Sequence, residues 1–180
     1  MSIISSIGEH QHAIAPDGFG NAFGLGVSVA VPPLAYFAVG ATMDAMGVAP
    51  LAAAPFGLPA WIGIAAIAVM LAMWGMAHFL MRQQGDAGQA AGRWVAALIA
   101  GVIVLQFALA LANPFVSSLL SMLVLLSGIV AVMRVSALSG AAALLLAPGL
   151  VWFGLGSLIG FTTLAGGWSP PFALVDHNKH

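Results

Sequence analysis

Residues 138–168 read LSGAAALLLAPGLVWFGLGSLIGFTTLAGGW, and no charged side chain interrupts them. A helix needs roughly 20 apolar residues to cross the ~30 Å hydrocarbon core of a bilayer, and this stretch exceeds that length. A water-soluble domain would need a far larger core to hide it. Within the stretch lie Pro148, Trp152 four residues later, and the small residues Gly156 and Gly160. It reads as a membrane span, and the rest of the chain has the same character. The 180 residues are 62% apolar and 5% charged, with a mean hydropathy of +1.08. Soluble domains carry about 25% charged residues, so the composition predicts an integral membrane protein surrounded by lipid. The net charge of −1 and the scattering of four basic residues argue against a nucleic-acid partner. With no cysteine, disulfides, thiolate metal sites and thiol nucleophiles are excluded. The opening MSIISSIGEHQH has no basic region and too short an apolar run for a secretory signal peptide.

Taken in order, residues 1–20 read as a polar tail carrying Glu9, His10, His12 and Asp17. One membrane domain, 21–168, follows, with spans expected at 21–42, 59–82, 93–112, 115–133 and 139–166, and a tail at 169–180. The fold class is an all-α, five-helix transmembrane bundle. Pro32-Pro33 removes two backbone donors, so a kink or local unwinding is expected in span one. Asp44 is expected at the membrane surface. The Pro/Ala/Gly-rich residues 47–58 suit an interfacial loop, and Pro59 suits the first turn of span two. Residues 83–92 are the most polar connection. Asn113-Pro114 signals a turn, making spans three and four a hairpin almost without a loop.

Five crossings put the N-terminus on the same side as connections 83–92 and 134–139, which hold Arg82, Arg93 and Arg134; only Lys179 lies opposite. The excess of basic residues on cytoplasmic loops then places the N-terminus in the cytoplasm, in a bacterial inner membrane. Span contacts are expected at Gly20/Gly24, Ala97/Gly101 and Gly156/Gly160, where small residues let backbones approach; packing within one bundle is the plainer reading and a homodimer the other. Ser117, Ser118, Ser121 and Ser127 are positioned to bond across helices.

The Pro-rich first loop, five spans in this length and the Pro-x-x-x-Trp of the last span together resemble the translocator protein (TspO/MBR, tryptophan-rich sensory protein) family. ALLLAPGLVW, residues 143–152, is similar to the family's fifth-span Pro-Tyr-Leu-x-Trp pattern. Pro59-Ala60-Trp61 and Gly75-Met76-Ala77 resemble its second-span opening Pro-Pro-Gly-Trp and later Gly-x-Ala. Gln106-Phe107-Ala108-Leu109 is similar to a third-span Gln-Leu-x-Leu. The likeness runs over most of residues 20–165. Departures are clear: Ala110 and Asn113 stand where the third span continues into Asn and Trp, and Ile67 and Leu71 where a second Trp and a Tyr are expected. The first loop lacks its Trp-Tyr and Lys-Pro-x-Trp pieces, with Phe56 where a Trp might stand. The resemblance implies a pocket for a porphyrin, haem, chlorin or other tetrapyrrole, or a sterol-like molecule. It would be lined by Trp61, Gln106, Trp152 and Gly156 and covered by the first loop.

Polar residues within the membrane are expensive and few here. Gln106, in mid-span, reads as an interhelical hydrogen bond or as a pocket contact. His78 could ligate a haem or chlorin axially, against the plainer reading of a hydrogen-bonded interfacial imidazole. His10 and His12 with Glu9 form a weak metal pattern, out of reach of His177 and His180. Trp61, Trp74, Trp94 and Trp168 fit an aromatic belt, whereas Trp152 lies about midway along its span. No nucleophile–base grouping, His-Glu-x-x-His, phosphate loop or carboxylate pair is present, so an enzyme is not expected. Two functions remain: a TspO-like protein binding a flat apolar ligand without catalysis, or an accessory subunit of a larger membrane complex with that pocket closed. Paired membrane charges, which an ion-coupled transporter would use, are lacking.

Overall fold

The computed structural model describes residues 18–48, 59–111 and 114–167, and these form five helices and no strand. They are α1 (Gly18–Ala45), α2 (Ala60–Arg82), α3 (Gly85–Leu111), α4 (Pro114–Ser136) and α5 (Gly140–Gly167). All five are long and apolar enough to cross a bilayer, so the chain is an integral membrane protein built as a five-helix bundle. The tails, the first loop at 49–58 and residues 112–113 lie outside the described residues. With them go the expectations for Glu9, His10, His12, Asn113, Trp168, His177 and His180.

Local chemistry sets the helix ends. Gly47, at φ +72°, closes α1. Val48 N–H bonds to Met43 O at 2.9 Å and Gly47 N–H to Asp44 O at 2.9 Å, the paired reverse bonds of a Schellman ending. Pro59 precedes α2 and Pro114 opens α4, where a missing N–H does no harm. Ser139 caps α5 by accepting from Ala142 N–H at 3.3 Å. Asp44 belongs to the last turn of α1 and is exposed.

Two expectations about these helices differ from the structure. The polar connection 83–92 is mostly helix, because α3 already starts at Gly85 and only Gln83 and Gln84 separate it from α2. Gly85, at φ +66°, turns the chain, and Asp86 favours the positive end of the new helix. Polarity here marks helix beyond the hydrocarbon, not loop. The Pro32-Pro33 pair does not unwind α1, which is helical from Gly18 to Ala45. Pro32 deprives Ser28 C=O of its usual donor, and α2 lies against that carbonyl at Gly75. A Cβ on Gly75 would sit within bonding range of the Ser28 carbonyl and 3.2 Å from Pro32 Cγ. The Gly75 backbone thus lies against the freed carbonyl, at the range of a weak Cα–H···O contact.

Neighbours run α1–α2–α5–α4–α3 around the bundle, α3 closes weakly onto α1, and α2 also touches α3. The core joins Leu71, Trp74, Ala77 and Met81 of α2 with Val95 and Leu98 of α3, Ala131 and Val135 of α4, and Ala142 and Leu146 of α5. It occupies the half of the bundle where α2 and α4 end at Arg82 and Arg134. In the other half, toward the first loop, full burial is sparse among the described residues. There α4 buries Ser117, and α5 buries nothing beyond Gly149.

Of the small-residue positions, Gly24 and Gly101 pack within the bundle, whereas Gly156 is exposed. A Cβ on Gly24 would meet Phe79 of α2 at 3.3 Å, and one on Gly101 would meet Val124 of α4 at 3.2 Å. Of the four serines expected to bond across helices, Ser117 does so, its hydroxyl donating to Ala108 O at 3.1 Å. Ser121 and Ser127 instead donate to carbonyls of their own helix, Ser117 O and Val124 O. Such back-bonding is what a serine does when no neighbouring helix offers an acceptor.

Candidate functional site

The face that α2 turns to α5 carries Trp74, which meets Gly149 and Phe153. Opposite, α5 presents Gly149 and, seven residues and about 10 Å further along, Gly156. These two glycines have unlike surroundings. A Cβ on Gly149 would fall 2.4 Å from Trp74 Cζ2, so the indole lies flat on bare backbone. Trp74 is 1% exposed, is flanked by Phe153 at a ring separation of 6.4 Å, and plugs the seam between the two helices. At Gly156 a Cβ would meet nothing within 4 Å among the described residues, and the residue is exposed. Above Trp74, then, the stripe of α5 that carries Gly149 has open space at Gly156 among the described residues. Trp152, half-buried, sits at the edge of that space one turn before Gly156.

Gln106 reaches the same half of the bundle from α3. Its amide N–H donates to Tyr36 O of α1 at 3.3 Å, the plainer of its two expected roles. Its amide oxygen faces Gly40, where a Cβ would be 3.6 Å away, and accepts no bond from the described residues. Gln106→Leu should therefore weaken the α1–α3 contact by only about 0.6 kcal/mol, the usual worth of a polar contact between membrane helices. Unfolding in mixed micelles, compared with wild type, measures it; a loss above about 2 kcal/mol would mean the amide holds more than this bond.

Trp61 does not join this group. It is 68% exposed on the first turn of α2 and fits the aromatic belt instead. The structure thus brings Trp152 and Gly156 together on α5, places Gln106 across the bundle, and leaves Trp61 on the outer surface. Trp74 is the reverse correction, since it is core and not belt. Distance along the helix could have shown this: Trp74 lies eight residues from Arg82, about 12 Å deep, too far in for the headgroup level.

His78 lies in the α2–α3 seam, where its Nδ1–H donates to Gly92 O at 3.1 Å. The carbonyl acceptor fixes the proton on Nδ1. Gly92 is small enough to admit the ring; a Cβ there would be 3.5 Å from Nδ1. The imidazole sits near the Arg82 end and faces α3, away from the space before Gly156. His78 is therefore not placed to ligate a haem iron held in that space. Among the described residues no three His, Asp or Glu come close enough to hold a metal ion.

One polar atom of the seam is unsatisfied: Trp74 Nε1 is buried and has no hydrogen-bond partner among the described residues. It lies against Gly149, within 2.7 Å of where a Cβ would be. Compared with protein-family models, with curated proteins and with solved structures, the chain has no match.

Proposed function

We propose that this protein binds a flat, largely apolar molecule of the tetrapyrrole or sterol type between α2 and α5, without catalysing a reaction on it. The contrast between Gly149, sealed by Trp74, and Gly156, open on the same stripe, carries this reading. Trp74 and Phe153 would form the floor and Trp152 and Gly156 one wall, while Gln106 stays in its contact with α1. Few orienting polar groups in an apolar cleft are what such ligands require. Stacking on Trp152 and exclusion from lipid would supply the affinity. The reading agrees with the TspO-like order of motifs, and the chain is then a divergent relative with fewer pocket aromatics. Arg82, Arg93 and Arg134 at one end favour a cytoplasmic N-terminus in a bacterial inner membrane, and the ligand cleft then opens on the opposite side.

The test is a titration of the full chain in nanodiscs with protoporphyrin IX, followed by tryptophan fluorescence and the Soret band. Saturable binding is expected. Gly156→Leu should weaken it at least about tenfold by filling the space, a loss of about 1.4 kcal/mol, and Trp152→Ala similarly by removing the stacking face. Binding that is absent, or indifferent to both substitutions, sinks the proposal.

The accessory-subunit reading draws on a separate observation. Phe23, Val27, Val31 and Leu34 form an exposed apolar stripe along α1. Recovery of a stoichiometric complex from native membranes, together with no porphyrin binding, would favour it.

A further inference from the structure

A second cleft lies on the outside of the bundle. Between α3 and α4 runs an open apolar groove of about 240 Å³, lined by Gly101, Val104 and Ala108 on one side and Leu120, Leu123 and Ser127 on the other. Val104 and Leu123 are exposed, so the groove faces the bilayer and not the core. Its register is fixed by three contacts. Ser117 donates to Ala108 O, a Cβ on Gly101 would meet Val124, and one on Gly128 would meet Leu98.

Carried toward the other end, the same antiparallel pairing sets Arg93 opposite Val132 and Met133, beside Arg134. Both arginines are exposed, and neither guanidinium has a partner among the described residues. Both also belong to the groove's own stripes. Arg93, Ala97, Val104 and Ala108 follow one another at helical spacing on α3, as do Leu120, Leu123, Ser127 and Arg134 on α4. Two cations thus stand on the groove's own stripes, seven to eight residues or about 10–12 Å of helix beyond its nearest lining residues, Ser127 and Gly101.

The dimensions match a lipid. From Arg93 to Ala108 is fifteen residues, about 22 Å of helix, and half a bilayer with its headgroup region is about 20–22 Å. We propose that the α3–α4 groove seats one acyl chain of an anionic phospholipid whose phosphate is held between Arg93 and Arg134. Guanidinium forks pair with phosphate oxygens bidentately, and basic clefts between membrane helices on the predicted cytoplasmic side suit such headgroups. Charge decides against a second copy of the chain as occupant. A two-fold contact across this face, with both copies oriented alike, would bring the paired arginines of each together.

The experiment is native mass spectrometry of the full chain released from nanodiscs of equal phosphatidylglycerol and phosphatidylcholine. One phosphatidylglycerol per chain should be retained, favoured at least about tenfold over phosphatidylcholine. Arg93→Gln with Arg134→Gln should abolish that preference, while Arg82→Gln, at the same end but off the groove, should leave it intact. Ser127→Phe, which fills the channel, should lower retention of both lipids, and added inorganic phosphate should not displace the bound one. Four results would overturn the proposal: no headgroup preference in wild type, equal loss in Arg82→Gln, displacement by free phosphate, or a dimer that Ser127→Phe breaks with lipid retention unchanged. The wild-type preference needs no variant, so the test survives a substitution that misfolds.

Discussion

Gly75→Ala is expected to destabilise the bundle, although alanine in place of a helical glycine ordinarily stabilises by about 0.5–1 kcal/mol. The reversal comes from the new Cβ, which would collide with the Ser28 carbonyl, a backbone atom that no rotamer change can move. Overpacking typically destabilises by about 1–3 kcal/mol, and here α1 must shift as a body to relieve it. Gly75→Leu should be worse and should detach α1, which has its main contacts with α2. Gly156→Ala is the internal control: nothing lies within 4 Å of its Cβ among the described residues, so the ordinary gain should appear. Unfolding of the three variants in a denaturing-detergent series reads both signs. If Gly75→Ala and Gly156→Ala shift the midpoint the same way, the close approach of α1 and α2 is wrong.

The second large effect is expected at Trp74. Truncating a buried tryptophan to alanine destabilises soluble proteins by about 3–5 kcal/mol, through transfer of apolar surface plus the cavity left behind. In a bilayer the unfolded helices are already in an apolar medium, so mainly the packing part survives. Trp74→Ala should therefore lie near the lower end, about 3 kcal/mol, and should also remove the floor of the proposed ligand site. Trp74→Phe should be much milder. It keeps an aromatic ring against Gly149 and deletes an indole N–H that has no partner among the described residues. Leaving a buried donor unmade already costs about 1–3 kcal/mol in the native state, and the phenylalanine is free of that penalty. A phenylalanine variant as unstable as the alanine one would show that Nε1 does find an acceptor.

Some of the site was legible before folding was considered. Trp152 stood out because it lies too deep for an interfacial belt, and Gln106 because an amide in mid-membrane demands a partner. Trp74 lies comparably deep, about 12 Å from Arg82, and its place in the core follows from that depth. Span ends themselves were read from polarity, which locates the hydrocarbon boundary and not the helix boundary. Hence α3 runs two turns further than its apolar stretch. Trp61 was grouped with the pocket through the motif it shares with a family, and a motif carries no information about which way the first turn of α2 faces.

Composition and the lengths of the uncharged runs by themselves determined five membrane-length helices and an all-helical fold. In hydrocarbon every backbone group must find its partner within its own segment, so length and polarity leave no alternative. Only the tertiary structure decided which side chains meet. Lipid gives no apolar contrast between inward and outward faces, and the stripe that points inward is therefore chosen by shape. The Ser28 carbonyl bared by Pro32 chose Gly75, and the indole of Trp74 chose Gly149. Where no such pair formed, at Gly156, the stripe is left open among the described residues.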